Sequence, residues 1–263
     1  MKIETLDLWK HLTGGTAPKI AAYIPEDKKT NSAVIIFPGG GYKNLAPHEG
    51  ADYAVFLAEQ GITSFVVTYR VAPNKFPLPL LDARRAVQFV RYYSKNYGLD
   101  KDKIAIMGSS AGGHLSALTC TCFDKFDLEN EDDIDKESYL PNAQILCYPV
   151  IKLLGKATSH LGSGKNLLGE LHAEMGEQLS PDLIADERAP QAFIWHTAED
   201  NVVHVFNSID YAKRLKSVGV PVELHIFPNG NHGMGLAKGE EPKRNHIAQW
   251  KKLLLEWLKY IGF

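Results

Sequence analysis

The amino-acid sequence predicts an α/β fold, a mainly parallel central sheet with helices on both faces. Three observations predict it. Short, near-continuous apolar runs recur along the chain, as strands covered on both faces require. Segments of helical period lie between those runs, and the alternation argues for parallel strands joined by helical crossovers. Gly61 and Gly219 stand just before apolar runs, where the residue closing a preceding helix belongs.

The elements follow in order. ETLDLWKHL and PKIAAYIP read as an antiparallel edge hairpin joined by a Gly-Gly turn. Strands are expected at AVIIF (33–37), ITSFVVTY (62–69), KIAIM (103–107), AQILCYPV (143–150), QAFIWHT (191–197) and VELHIF (222–227). Leu80, Ala83, Val87 and Val90 share one helical stripe, and Val205, Ile209, Ala212 and Leu215 share another. A last stripe carries Ile247, Trp250, Leu254, Trp257 and Ile261. Residues 124–142 are acidic and poor in branched apolar residues, which suggests a solvated excursion. Residues 151–190 are Gly-rich and unperiodic, an insertion expected to sit over the carboxyl edge of the sheet as a partial cap. No internal repeat or linker divides the chain, so residues 1–263 are read as a single domain.

Composition excludes several functions. A chain of 263 residues should bury roughly three quarters of its unfolded surface and needs no staples. Twenty-nine Lys and Arg nearly balance 31 Asp and Glu, with no basic run interleaved with aromatics, so neither nucleic acid nor an anionic membrane is an expected partner. Cys120, Cys122 and Cys147 lack zinc-ligand spacing and read as core filling; no metal or cofactor is expected. MKIETLDLWK has no apolar signal core, and no segment reaches 18 uninterrupted apolar residues, so a cytoplasmic location is the expectation.

The chemistry is concentrated at MGSSAGGH (107–114). An apolar strand, a sharp turn and an Ala/Leu helix surround Gly108-x-Ser110-x-Gly112, the pattern of a nucleophile elbow, in which a strained turn lifts a serine hydroxyl above the sheet. Glycines two residues either side let the turn close without Cβ collisions. Ser110 is therefore the candidate nucleophile and Ser109 a turn residue. A phosphate-binding turn fits less well, since the P-loop lysine is absent. A serine hydroxyl needs a base, and the base needs an orienting carboxylate. In the α/β-hydrolase order these follow as acid and then histidine. IWHTAEDNVV ends one strand in Asp200, and HIFPNGNHGMG ends another near His232, so three strand ends would deliver Ser110, Asp200 and His232 to one edge. His204 is the rival base and Glu199 the rival acid; His225 reads as a packed strand residue and His246 as the start of a helix. Gly39, Gly40 and Gly41 directly follow the third strand, where esterases carry a glycine-rich oxyanion loop. The expected oxyanion donors are the amides of Gly40 or Gly41, together with that of Ala111.

PGGGYKNLAPHEG, TYRVAP, GSSAGGHL, YPV, SPDLI, WHTAEDNVV and YAKRLKSVGVPVELHIFPNGNHGMGLA together resemble the α/β-hydrolase carbohydrate esterases. These are the acetylxylan-esterase-like enzymes, neighbours of the hormone-sensitive-lipase branch, and the resemblance runs from about residue 18 to 261. It implies Ser110, Asp200 and His232 as the triad, with hydrolysis of small acyl esters, typically acetyl groups on sugars, and neither metal nor cofactor. Two positions depart from the pattern. Pro38 replaces the histidine usual in the lipase branch, and Val203-His204 replaces the Val-Pro usual in relatives. Tyr42 and Glu49 are the candidate substrate contacts, Tyr42 at the mouth of the site. The alternative places Tyr42 under the cap and gives Glu49 only a helix N-terminus to favour. The expected substrate is an acylated sugar or oligosaccharide. An amidase, a small peptidase or a general short-chain carboxylesterase on the same scaffold stays open, as does assembly into a homo-oligomer.

Overall fold

The computed structural model describes residues 1–12, 14, 17–124 and 132–263. Its N-terminal half runs β1 (Lys2–Asp7), β2 (Lys19–Ile24), β3 (Ala33–Phe37), α1 (Ala51–Glu59), β4 (Thr63–Thr68), α2 (Leu78–Tyr92), β5 (Ile104–Ser109) and α3 (Ser110–Thr121). There follow β6 (Ala143–Cys147), α4 (Leu161–Leu168), α5 (His172–Met175), α6 (Pro181–Ile184), β7 (Gln191–Thr197), α7 (Phe206–Ser217), β8 (Val222–Phe227), α8 (Pro242–Ile247) and α9 (Trp250–Tyr260).

Among these residues one eight-stranded sheet takes the order β1-β2-β4-β3-β5-β6-β7-β8. The β1–β2 and β2–β4 pairings are antiparallel and the other five are parallel. The edge hairpin forms as expected; Gly15 of its Gly-Gly turn lies outside the described residues. Every residue of β3 and β5 is buried, which is why both read as unbroken apolar runs. Alternation still assigns the faces. Ile35 and Phe37 join Leu80, Val87 and Leu115 on one side, while Val34 and Ile36 join Tyr53, Leu57, Trp250 and Leu254 on the other. All three cysteines are buried in these cores and are free thiols.

Three expectations need correction. The last helical stripe is interrupted at residues 248–249 into α8 and α9, and His246 lies in the final turn of α8 rather than opening a helix. Residues 151–190 contain three short helices, α4 to α6, where no period was expected. Of the acidic stretch 124–142, residues 125–131 lie outside the described residues, and within Asp132–Lys136 the Asp132 and Asp135 carboxylates are anchored to the protein while Asp133 and Lys136 stay exposed. The cause is Arg85 of α2, whose buried guanidinium donates to Asp132 at 2.7 Å and Asp135 at 2.8 Å. A buried guanidinium needs such partners to offset its lost hydration. Arg91 and Gln88 of the same helix hold backbone carbonyls of residues 135–140.

The parallel strands β3, β5, β7 and β8 all end at the same edge. Phe37, Ser109, Thr197 and Phe227 mark the four points from which the loops of the next section spring.

Candidate active site

Ser110 sits where β5 gives way to α3, with φ +52°, a left-handed value rare for a residue with a side chain. The turn can close only because its neighbours are glycines. A Cβ on Gly112 would stand 2.0 Å from the Phe37 carbonyl oxygen, and one on Gly108 would stand 2.1 Å from that of Gly112. The strained turn aims the Ser110 hydroxyl out of the sheet edge.

His232 comes from the loop after β8 and Asp200 from the loop after β7. Ser110 Oγ lies 2.8 Å from His232 Nε2, and His232 Nδ1 lies 2.7 Å from Asp200 Oδ2. The carboxylate can only accept, so Nδ1 carries the proton and Nε2 is free to accept from the serine hydroxyl. Asp200 is saturated with donors. Its Oδ1 accepts the N–H groups of Val202 and Val203, each at 2.9 Å, and its Oδ2 also receives His196 Nε2 at 3.2 Å. Burial alone would raise its pKa, but the hydrogen bonds from His196, His232 and Val203 hold the carboxyl well below the usual range. The acid therefore stays an anion well below neutral pH.

The rivals are placed elsewhere. Glu199 accepts from Asn229 Nδ2 at 2.7 Å and from the Gly230 amide at 3.3 Å, stitching the acid loop to the histidine loop. His204 accepts the Phe206 amide and stacks on the Phe206 ring, at the entry to α7. His225 of β8 pairs with Glu223. His196 escaped the sequence reading. It is fully buried in β7, donating from Nε2 to the Val203 carbonyl at 2.9 Å and accepting Ser208 Oγ at Nδ1. Its only sequence signal is a position four residues before Asp200.

The glycine loop lies against the elbow: a Cβ on Gly39 would stand 3.0 Å from Ser110 Cβ. Gly39 N–H is taken by Glu49 Oε2 at 2.9 Å. Among the described residues nothing accepts from the amides of Gly40 or Gly41. Ala111 lies in the first turn of α3, where amides have no acceptor within the helix. The amides of Gly40 and Gly41 are thus without a partner among the described residues.

The expectation that the Tyr42 and Glu49 side chains meet substrate is corrected. Tyr42 has positive φ (+58°) and is only 1% exposed, because the left-handed turn throws its ring inward. Its hydroxyl lies 2.8 Å from His114 Nδ1. His114 Nε2 is 2.9 Å from the Leu179 carbonyl, which can only accept, so Nε2 bears the proton and Nδ1 accepts from Tyr42. Glu49 is 3% exposed, with its carboxylate directed at Gly39 and Tyr148.

His114 makes a stability prediction. Burial lowers its pKa from 6.5 to about 4, so the folded protein keeps it neutral while the unfolded chain takes up a proton below 6.5. The unfolded state therefore binds more protons between those two values, and stability falls as pH drops through that window. Urea midpoints from pH 7 to 4 should show this slope in the wild type. His114→Gln, which can still donate to Leu179 and accept from Tyr42, should flatten it.

Comparison with known proteins places the chain. Residues 20–215 match the BD-FAE family model. An endo-1,4-β-xylanase B of Butyrivibrio fibrisolvens is 35% identical over 233 residues, covering 86% of this chain and 36% of that protein. An acetylxylan esterase of Xylanibacter ruminicola is 31% identical over 243 residues, covering 89% of this chain and 48% of that protein. The chain thus spans between a third and a half of these two relatives. Among solved structures, the acetyl ester-xyloside bifunctional hydrolase from Caldicellulosiruptor lactoaceticus superposes with a TM-score of 0.90 at 41% identity, covering 99% of this chain and 97% of that one.

Proposed function

The chain belongs to the BD-FAE family of α/β hydrolases, and from that premise we propose that it is a serine esterase removing small acyl groups, above all acetyl, from carbohydrates. The observation that carries this reading is the unbroken relay from Ser110 Oγ through His232 to Asp200, at 2.8 and 2.7 Å. Ser110 Oγ attacks the ester carbonyl carbon as His232 Nε2 takes its proton. The carbonyl oxygen becomes an oxyanion facing the amides of Gly40, Gly41 and Ala111, donors worth about 3–4 kcal/mol each when well aimed. His232 then protonates the sugar oxygen, which leaves as the alcohol. Water attacks the acyl-Ser110 ester with its proton going to His232, and release of the carboxylic acid restores the serine. Asp200 fixes the tautomer and stabilises the imidazolium throughout.

The carbohydrate part of the proposal draws on the named relatives and the neighbouring structure. We take residues 1–263 as one hydrolase unit, with 151–190 laid over the site as a partial cap. Two contacts support that placement: Asn166 Nδ2 of α4 donates to the Gly41 carbonyl at 2.8 Å, and the Leu179 carbonyl receives His114. Among the described residues no helix is long and apolar enough to cross a membrane.

The test is a panel of acetylated xylo-oligosaccharides, nitrophenyl esters of increasing chain length and acetanilides. Highest kcat/KM on acetylated sugars is expected. Preference for long acyl chains would make the protein a general carboxylesterase, and faster anilide turnover would make it an amidase.

A further inference from the structure

The esterase mechanism leaves several buried polar groups unused. Glu49, Tyr148, Tyr53 and Ser109 form one connected network beneath the site. Glu49 accepts the Gly39 amide at Oε2 (2.9 Å) and the Tyr148 hydroxyl at Oε1 (2.8 Å). Tyr148 Oη also lies 3.0 Å from the Gly235 amide and 3.1 Å from Tyr53 Oη, and Tyr53 Oη lies 3.0 Å from Ser109 Oγ. The donors can be ordered. A carboxylate only accepts, so the Tyr148 proton goes to Glu49, leaving its oxygen to accept from Gly235 and Tyr53. Tyr53 in turn accepts from Ser109. The chain of hydrogen bonds therefore points one way, from the residue beside the nucleophile to a charged carboxylate, and each bond strengthens the next.

The network touches two separate loops and the end of β5. Gly39 begins the glycine loop, Gly235 lies three residues beyond His232, and Ser109 precedes Ser110. The Tyr148 ring also meets the His232 imidazole edge-on, with centroids 5.2 Å apart. Tyr148 holds φ +37°, a left-handed strain in a bulky residue that only a well-determined surrounding maintains. Burial and the Glu49 carboxylate push the Tyr148 phenol well above its ordinary pKa, so it remains a donor.

We propose that Glu49 and Tyr148 are positioning residues, a buried clamp that holds the glycine loop and the histidine loop at one fixed separation for ester cleavage. This rests on the esterase reading above and names what sets the geometry of that site. The carboxylate is required because both its oxygens accept. A glutamine offers one acceptor end and one donor end, so it can hold Gly39 or Tyr148 in the wild-type arrangement but not both. A clamp acting through geometry affects the transition state, where oxyanion donors and imidazole must both be in place, more than it affects initial binding.

Nitrophenyl acetate turnover by wild type, Glu49→Gln, Tyr148→Phe and the double variant tests it. Each single variant should lose on the order of 10–100-fold in kcat with KM within about twofold. The double variant should lose no more than the worse single, because both break one connection. Far-ultraviolet circular dichroism and thermal melts establish that each variant is folded; if Glu49→Gln is not, Tyr148→Phe decides by its kcat alone. Folded variants within twofold of wild-type kcat, or losses that multiply in the double variant, would overturn the clamp while leaving the esterase standing. A wild type that fails to turn over the ester, or a Ser110→Ala variant that retains turnover, removes the esterase reading instead, and the clamp with it.

Discussion

Ser110→Ala is expected to lower kcat on an acetyl ester by about 10⁶-fold while leaving the fold intact. Both halves follow from the elbow. Among the described residues the hydroxyl has one side-chain partner, His232 Nε2 at 2.8 Å, so its removal orphans no other buried group. Alanine carries the same Cβ into the same φ +52° turn, and the glycines that admit the turn are unchanged. The thermal midpoint should therefore move by no more than about 2–4 °C, the shift expected for about 1 kcal/mol in a chain of this size. Covalent labelling by a fluorophosphonate should vanish with turnover, since among the described residues no other hydroxyl is hydrogen-bonded to His232. A low residual rate is expected from water activated by His232 before the same backbone donors. Turnover within tenfold of wild type would mean that the acyl group never passes through Ser110.

That prediction could be made from the sequence because of where the three proposed triad side chains sit. Ser110 and Asp200 each follow a buried strand within a few residues of its end, His232 follows the half-exposed edge strand β8, and the end of each apolar run in a polar or glycine-rich turn is visible in one dimension. The glycine loop after β3 is visible for the same reason. The inward turn of Tyr42 and Glu49 was not. A loop has no period, and the left-handed backbone at Tyr42 reverses the direction that an extended chain would give it. His196 was hidden differently: within β7 a buried histidine has the same alternating position whether it packs or holds the Asp200 carboxylate. Arg85 shows a third limit. The acidic run at 132–135 reads as solvated because its partner lies 47 residues earlier, on the buried side of α2. Pattern finds elements and their ends; it does not find pairings between distant polar residues.

Asp200→Asn is expected to cost about 10⁴-fold in kcat, and here the surrounding donors decide how. Asp200 Oδ1 accepts two backbone amides, Val202 and Val203, both at 2.9 Å. An asparagine must keep its carbonyl oxygen at that position, because its NH₂ group there would face two N–H donors. The NH₂ is then forced to the site of Oδ2, 2.7 Å from His232 Nδ1, where it can only donate. His232 must answer by accepting at Nδ1, which moves its proton to Nε2 and points it at the Ser110 hydroxyl. The base is blocked although every heavy atom stays in place. His196 adds a cost of its own, since its Nε2–H, held by the Val203 carbonyl at 2.9 Å, also disfavours an NH₂ beside it. Glu199→Gln is the contrast: its side chain serves Asn229 and Gly230, so the loss should be smaller by orders of magnitude. Asp200→Asn also changes the pH dependence of stability. The folded carboxyl titrates below its ordinary value, so its stabilising contribution is present above about pH 4 and lost as pH falls toward the folded value. The asparagine variant lacks that contribution, and wild type and variant should converge in stability as the solution is acidified. A loss in kcat under tenfold would show that His232 takes its orientation from some group other than Asp200.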